Sequence, residues 1–124
     1  MKKISSFLLI FILLSSMPVY ASVNSIALNK KGSSGNHSQL PMPADMPDVY
    51  HDTTNQDIII DGLGVVDYYD VEIASATSFI TVITTQVNGS YDTIDISSLP
   101  QGEYVITIES PWGNIYEGFF DTIF

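Results

Sequence analysis

Fourteen carboxylates, two histidines and a set of serine and threonine hydroxyls are the reactive side chains this chain offers, and it holds no cysteine. A hydroxyl nucleophile needs a base beside it, and the imidazoles available are His37 and His51. His37 falls in a stretch rich in Ser, Gly and Asn, and His51 sits at the edge of a strand signal. No Gly-x-Ser-x-Gly elbow presents a serine. Paired carboxylates can hydrolyse a glycoside, but that chemistry needs a cleft that a small domain does not offer. No cofactor fingerprint occurs, so no cofactor is expected and the chain does not read as an enzyme.

Metal ligation is the second chemistry to weigh. Asp45, Asp48, His51 and Asp52 cluster in sequence, but an extended strand puts Asp48 and Asp52 on one side and His51 on the other, which splits the set. Asp61, Asp67 and Asp70 flank Gly62-Leu63-Gly64, yet no twelve-residue calcium loop is present. Both groups read as solvated charge at strand edges, with a calcium-stabilised domain as an alternative. No metal site is assigned.

Aromatic side chains supply the third. Tyr68, Tyr69, Trp112 and Tyr116 could present ring faces to a sugar or a protein, and Trp112 stands at a turn tip in Pro111-Trp112-Gly113-Asn114. Trp112, Tyr116 and Tyr68 are the candidate ligand-contacting residues. The triplets Asp52-Thr53-Thr54, Asp92-Thr93-Ile94 and Asp121-Thr122-Ile123 resemble the acceptor pattern for O-linked glycans in Bacteroidetes envelope proteins.

The elements that must position these residues begin after a leader. Met1-Lys2-Lys3 precedes an apolar run over residues 4–14, followed by Val19-Tyr20-Ala21. That order is the n-region, h-region and cleavage site of a signal peptide, cut between Ala21 and Ser22. A helix over the run would rise about 16 Å, roughly half of what a membrane span requires, so no membrane span is expected after cleavage. Export to the periplasm, the outer-membrane surface or the medium follows. Without cysteine, stability there must come from burial and sheet pairing.

Cleavage leaves residues 22–124 with two lysines against fourteen Asp and Glu, a formal charge of −12, and no Lys or Arg beyond Lys31. Nucleic acid and anionic lipid surfaces both ask for cations, so both are disfavoured as partners. A chain of this length suits one domain.

Residues 22–47, with Gly32-Ser33-Ser34-Gly35-Asn36 and Pro41, Pro43 and Pro47, read as a flexible leader that cannot offset its ordering entropy. Within it, Val23, Ile26 and Leu28 fit a short edge strand or a docking contact. From Asp48 the texture turns to short runs of Ile, Val, Thr, Tyr and Phe separated by turns. The pattern predicts seven strands at 48–51, 57–61, 67–74, 79–87, 91–97, 103–110 and 115–121, forming the domain 48–124.

Alternation predicts which faces are buried. Tyr104, Ile106 and Ile108 oppose Glu103, Val105, Thr107 and Glu109; Tyr69, Val71 and Ile73 oppose Asp70 and Glu72; Ile94 and Ile96 oppose Thr93 and Asp95. Tyr116, Gly118 and Phe120 share a side. The run 79–83 shows no clear face, and Asn88-Gly89 predicts a two-residue hairpin pairing 79–87 with 90–97. Seven short antiparallel strands with no room for crossover helices point to an all-β two-sheet sandwich or a small barrel, and one buried face per strand with an odd strand count fits the two-sheet sandwich better.

The stretch Ile94-Asp95-Ile96-Ser97-Ser98-Leu99-Pro100-Gln101-Gly102-Glu103-Tyr104-Val105-Ile106-Thr107-Ile108 resembles a pattern shared by the C-terminal sorting domains of type IX secretion cargo. It is also similar to small secreted Bacteroidetes proteins with an immunoglobulin-like fold, catalogued as a domain of unknown function. The second likeness extends to the apolar Ser25-Ile26-Ala27-Leu28, the Ser- and Pro-bearing 38–47 and the closing Ile115-Tyr116-Glu117-Gly118-Phe119-Phe120. The end Asp121-Thr122-Ile123-Phe124 lacks the basic residues of a sorting domain. The resemblance implies an immunoglobulin-like sandwich and an exported protein, and it carries no site residues. The expectation is a non-enzymatic interaction module for a protein or a glycan, or else an assembly subunit that pairs by strand addition.

Overall fold

Period-two alternation is what sorts this chain into layers. In the computed structural model, which describes residues 23–33 and 44–122, nine strands run in chain order: β1 Val23–Ile26, β2 Asn29–Ser33, β3 Asp48–Asp52, β4 Asp57–Asp61, β5 Tyr68–Ser75, β6 Thr81–Asn88, β7 Tyr91–Asp95, β8 Glu103–Glu109 and β9 Asn114–Asp121. All pairings are antiparallel. A four-stranded sheet has the order β1-β3-β4-β7, and a five-stranded sheet has the order β2-β9-β8-β5-β6. The proposed signal segment 1–21 lies outside the described residues, as do 34–43.

The seven strands read from the sequence are all present, each within two residues at its ends. The leader, however, is not all flexible. Residues 23–26 and 29–33 form β1 and β2, one added to the edge of each sheet. Between them Ala27 and Leu28 carry the chain from sheet to sheet, and Ile26 is buried. The slot that receives them is Gly118 on β9, where a Cβ would stand 2.7 Å from Ile26 Cγ2 and 2.9 Å from Leu28 Cδ2. Burial of Ile26 and packing of Leu28 against the core thus repay ordering entropy locally, while Val23 stays exposed.

The core lies between the sheets. Val49, Ile58, Ile60, Ile94 and Ile96 come from one side; Tyr69, Val71, Ile73, Tyr104, Ile106, Ile108 and Phe120 come from the other. Apart from Val49, Ile58 and Ile60, for which alternation assigned no face, these are residues of the faces that alternation marked as buried. Each fully buried aliphatic side chain contributes about 1.5–3 kcal/mol, which a small cysteine-free domain requires.

One local expectation fails. Asn88-Gly89 is not a hairpin: β6 pairs with β5 in one sheet, while β7 pairs with β4 in the other. The segment is a crossover, and the glycine is there for packing. A Cβ on Gly89 would stand 1.8 Å from the Val66 carbonyl oxygen, and the Gly89 amide donates to the Asp67 carbonyl at 3.0 Å. Asn88 Oδ1 accepts from the Ser90 amide at 2.7 Å, and Asp92 Oδ2 accepts from the Asn88 amide at 2.9 Å. Side-chain acceptors thus shape the turn that positive φ was expected to shape.

Candidate functional site

Burial separates the three candidate aromatics. Trp112 follows β8 in the tight turn to β9 and is 56% exposed. Tyr68 opens β5, half-buried. Tyr116 is fully buried, as is Tyr69, so neither ring can meet a ligand at the surface. Both belong to a polar clasp around Asp45, which is itself fully buried.

Asp45 lies just before β3 and ties its start to three other elements. Its carboxylate accepts from Tyr116 Oη at 2.5 Å, from Asn114 Nδ2 at 3.0 Å and from Ser110 Oγ. Its backbone carbonyl accepts from Tyr69 Oη at 2.8 Å. Burial pushes the Asp45 carboxyl up, but the hydrogen bonds from Ser110, Tyr116 and Asn114 outweigh it and hold the group below its usual value. The same surroundings, burial first, push Tyr69 up to about 12 and raise Tyr116 as well. A carboxylate with three donors is a structural anchor. Ser110 bonds to Asp45 and His51 sits near the far end of β3, so no hydroxyl–imidazole pair forms there.

His51 is buried against Phe120, the ring centroids 5.3 Å apart. Desolvation lowers its pKa, against the opposing charges of Asp121, Asp52 and Asp57. Asp52 is engaged in capping the β3–β4 turn, accepting from the Thr54 and Asn55 amides at 3.0 and 3.1 Å. Asp45 and His51 therefore stand at opposite ends of β3, and the sequence cluster 45–52 is dispersed. Among the described residues no group of three or more His, Asp or Glu could hold a metal ion. Of the glycan-acceptor triplets, Thr122 is buried with its hydroxyl donating to the Pro100 carbonyl at 2.8 Å, whereas Thr93 is exposed.

What the structure does bring together lies on the outer face of the five-stranded sheet. There Lys31, Glu72, Ala74, Phe79, Thr81, Val105, Thr107, Glu117 and Phe119 line a groove of 340 Å³. Phe79 is 76% exposed and Phe119 61%. The floor is set by register: Ala74 pairs with Val105, and Val105 with Phe119. Glu117 accepts an ion pair from Lys31 at 2.9 Å, and Glu72 accepts from Thr81 Oγ1. A second hollow, of 510 Å³, opens on the other side of Phe119 between β1 and the end of β9, and includes His51, Glu103 and Asp121.

Phe79 reaches this groove from a strained backbone. Its φ is +59°, a left-handed conformation that costs an L-residue with a bulky side chain about 1–2 kcal/mol. The turn enforces it: the Phe79 amide donates to the Ser75 carbonyl at 2.9 Å, and the Ser75 amide to the Ile80 carbonyl at 3.0 Å. Sequence reading missed Phe79 and Phe119 as site residues. Val105 and Phe119 did carry a signal, because each is an apolar residue in the polar phase of its strand.

The crossover from β7 to β8 settles the fold class. Tyr104, at the start of β8, donates from its hydroxyl to the carbonyl of Pro100 four residues upstream at 2.6 Å, the tyrosine corner of two-sheet Greek-key sandwiches. The fold is immunoglobulin-like. A Bacteroides vulgatus DUF3244 family protein with an immunoglobulin-like β-sandwich superposes with a TM-score of 0.61 at 17% identity, over 80% of this chain and 97% of that one. The likeness noted in the sequence to small Bacteroidetes immunoglobulin-like proteins is thus found again in the fold. No protein-family profile matches the chain, and no curated protein matches it. Among the described residues no helix of this immunoglobulin-like domain is long and apolar enough to cross a membrane.

Proposed function

We propose that this immunoglobulin-like domain is an exported, non-enzymatic binding module that engages its partner through the outer face of the five-stranded sheet. The observation that carries the reading is the pair of exposed phenylalanines, Phe79 and Phe119, standing over a floor of Ala74 and Val105. Large apolar side chains gathered at one exposed groove mark an interaction surface. One of them is also held in a backbone conformation that folding alone does not favour. Export is the reading of residues 1–21.

The test is amide-shift mapping of the isotope-labelled protein, expressed as the full chain, against fractionated soluble proteins and glycans of its host envelope. Perturbations centred on Ala74, Val105, Thr107 and Phe119 support the assignment. Perturbations confined to Tyr68 and Trp112 would relocate the site to the β8–β9 turn, and an unperturbed face would refute it. Trp112 supports a second reading as a glycan platform, because its exposed ring sits at a turn tip. In that reading Trp112→Ala weakens glycan binding and leaves the melting temperature unchanged.

A further inference from the structure

Four alternate rungs of the β8–β9 ladder point out of the five-stranded sheet. Glu103 pairs with Asp121, Val105 with Phe119, Thr107 with Glu117 and Glu109 with Ile115. On β5 the same rungs continue as Ala74 beside Val105, Glu72 beside Thr107 and Asp70 beside Glu109. Read along the strands, the face is acidic, then apolar, then acidic, then acidic again. Successive rungs on one face are about 6.8 Å apart.

The carboxylates are set against one another. Glu103 and Asp121 are directly opposed, as are Asp70 and Glu109, and like charges directly across a ladder are unfavourable. Within the described hydrogen bonds, Lys31 meets Glu117, Gln86 meets Asp70 and Thr81 meets Glu72. Lys31 already pairs with Glu117 and no Lys or Arg follows it in the chain, so a partner's cations are what would complement Glu103, Asp121, Asp70 and Glu109.

Resting on the binding reading above, we infer that the partner is an extended polypeptide segment with an apolar residue flanked two positions away on each side by Lys or Arg, and a further Lys or Arg two positions beyond. An extended chain presents every second side chain to one face at the same 6.8 Å or so as the rungs. Its apolar residue enters the groove between Phe79 and Phe119 on the Ala74–Val105 floor. One flanking cation meets Glu103 and Asp121 in the 510 Å³ hollow beyond Phe119. The cations on the other side meet Glu72 with Glu117, and then Asp70 with Glu109. Rings supply the contact area and carboxylates the register.

The test titrates labelled protein, expressed as the full chain, with four probes: acetyl-Lys-Ser-Leu-Ser-Lys-Ser-Lys-amide, the isomer acetyl-Ser-Ser-Lys-Leu-Lys-Ser-Lys-amide, an acidic analogue with Glu for each Lys, and a neutral glycan panel. The in-phase peptide is expected to shift the amides of Ala74, Val105, Thr107 and Phe119 and to bind at least about fivefold more tightly than its isomer. Its affinity should fall as salt rises from about 50 to about 500 mM. Phe79→Gly and the pair Glu72→Gln with Glu117→Gln should each weaken it. Equal binding of the isomer, or binding of the acidic analogue, overturns the inference. So does a glycan that shifts these amides when the peptide does not, although that outcome leaves the face as the binding surface. Peptide shifts confined to the Trp112 end, or none at all, overturn the inference, and the envelope-fraction mapping then decides separately whether the face binds anything.

Discussion

Asp45→Ala removes the acceptor on which Ser110, Tyr116 and Asn114 converge. Each hydrogen bond to a charged group is worth about 1.5–3 kcal/mol net. Asn114 is only half-buried and regains water, so the lasting cost falls on the Tyr116 and Ser110 hydroxyls, which are 0% and 3% exposed. The expected loss is about 3–5 kcal/mol, a large share of the stability of a small domain, and a fall in Tm on the order of 15 °C. Urea and thermal unfolding of the full chain read it, with the exposed Asp48→Ala as a control expected within about 0.5 kcal/mol of wild type. Adding Tyr116→Phe to Asp45→Ala should restore part of the loss, because it deletes the orphaned donor. The folded pKa of Asp45 lies below its ordinary 3.8, so the clasp stabilises fully above that value and weakens as pH falls through the lower folded value. The gap between wild type and Asp45→Ala should therefore close in acid. A loss under about 1 kcal/mol at neutral pH, or a gap that persists in acid, would refute the anchor.

The buried His51 has a folded pKa below 6.5, so its contribution is present above 6.5 and is lost as pH falls below it. Thermal melts should show a drop in wild type over that range that His51→Leu lacks. Gly118→Val should expel Ile26 and Leu28 from their slot at a cost of about 1.5–3 kcal/mol; hydrogen exchange would register it as faster amides on the β3 edge that β1 covers. At position 79 the usual order of substitutions should invert. Phe79→Gly is expected to be more stable than Phe79→Ala by about 1 kcal/mol, since only glycine takes a φ of +59° without strain, and the reverse order in chemical denaturation would dismiss the strain.

The seven-strand frame was legible because one face of most strands is apolar and the other polar, so Tyr104, Ile106 and Ile108 or Tyr69, Val71 and Ile73 declare their side. The leader was harder. Its composition reads as flexible, and what orders β1 is a vacancy at Gly118, some ninety residues away, that pairs with Ile26 and Leu28 only in three dimensions. Asn88-Gly89 misled for a related reason: glycine serves both positive φ and close backbone approach, and a sequence does not say which. Asp45 looked like one acid among many because its donors come from β9 and the β8–β9 turn. Tyr116 looked like an exposed ring candidate although its own alternation with Gly118 and Phe120 placed it inward. Phe119 and Val105 were readable as apolar residues out of phase, whereas Phe79 needed the turn that holds it.

Site-specific photo-crosslinking in the host tests the central claim most directly. p-Benzoylphenylalanine would replace, one at a time, Phe79 and Phe119 on the proposed face and Leu63 and Tyr91 elsewhere, all four being more than half exposed. The account predicts that one partner is captured from positions 79 and 119 and not from 63 or 91. Capture of the same partner from Leu63 or Tyr91, with positions 79 and 119 silent, would contradict it.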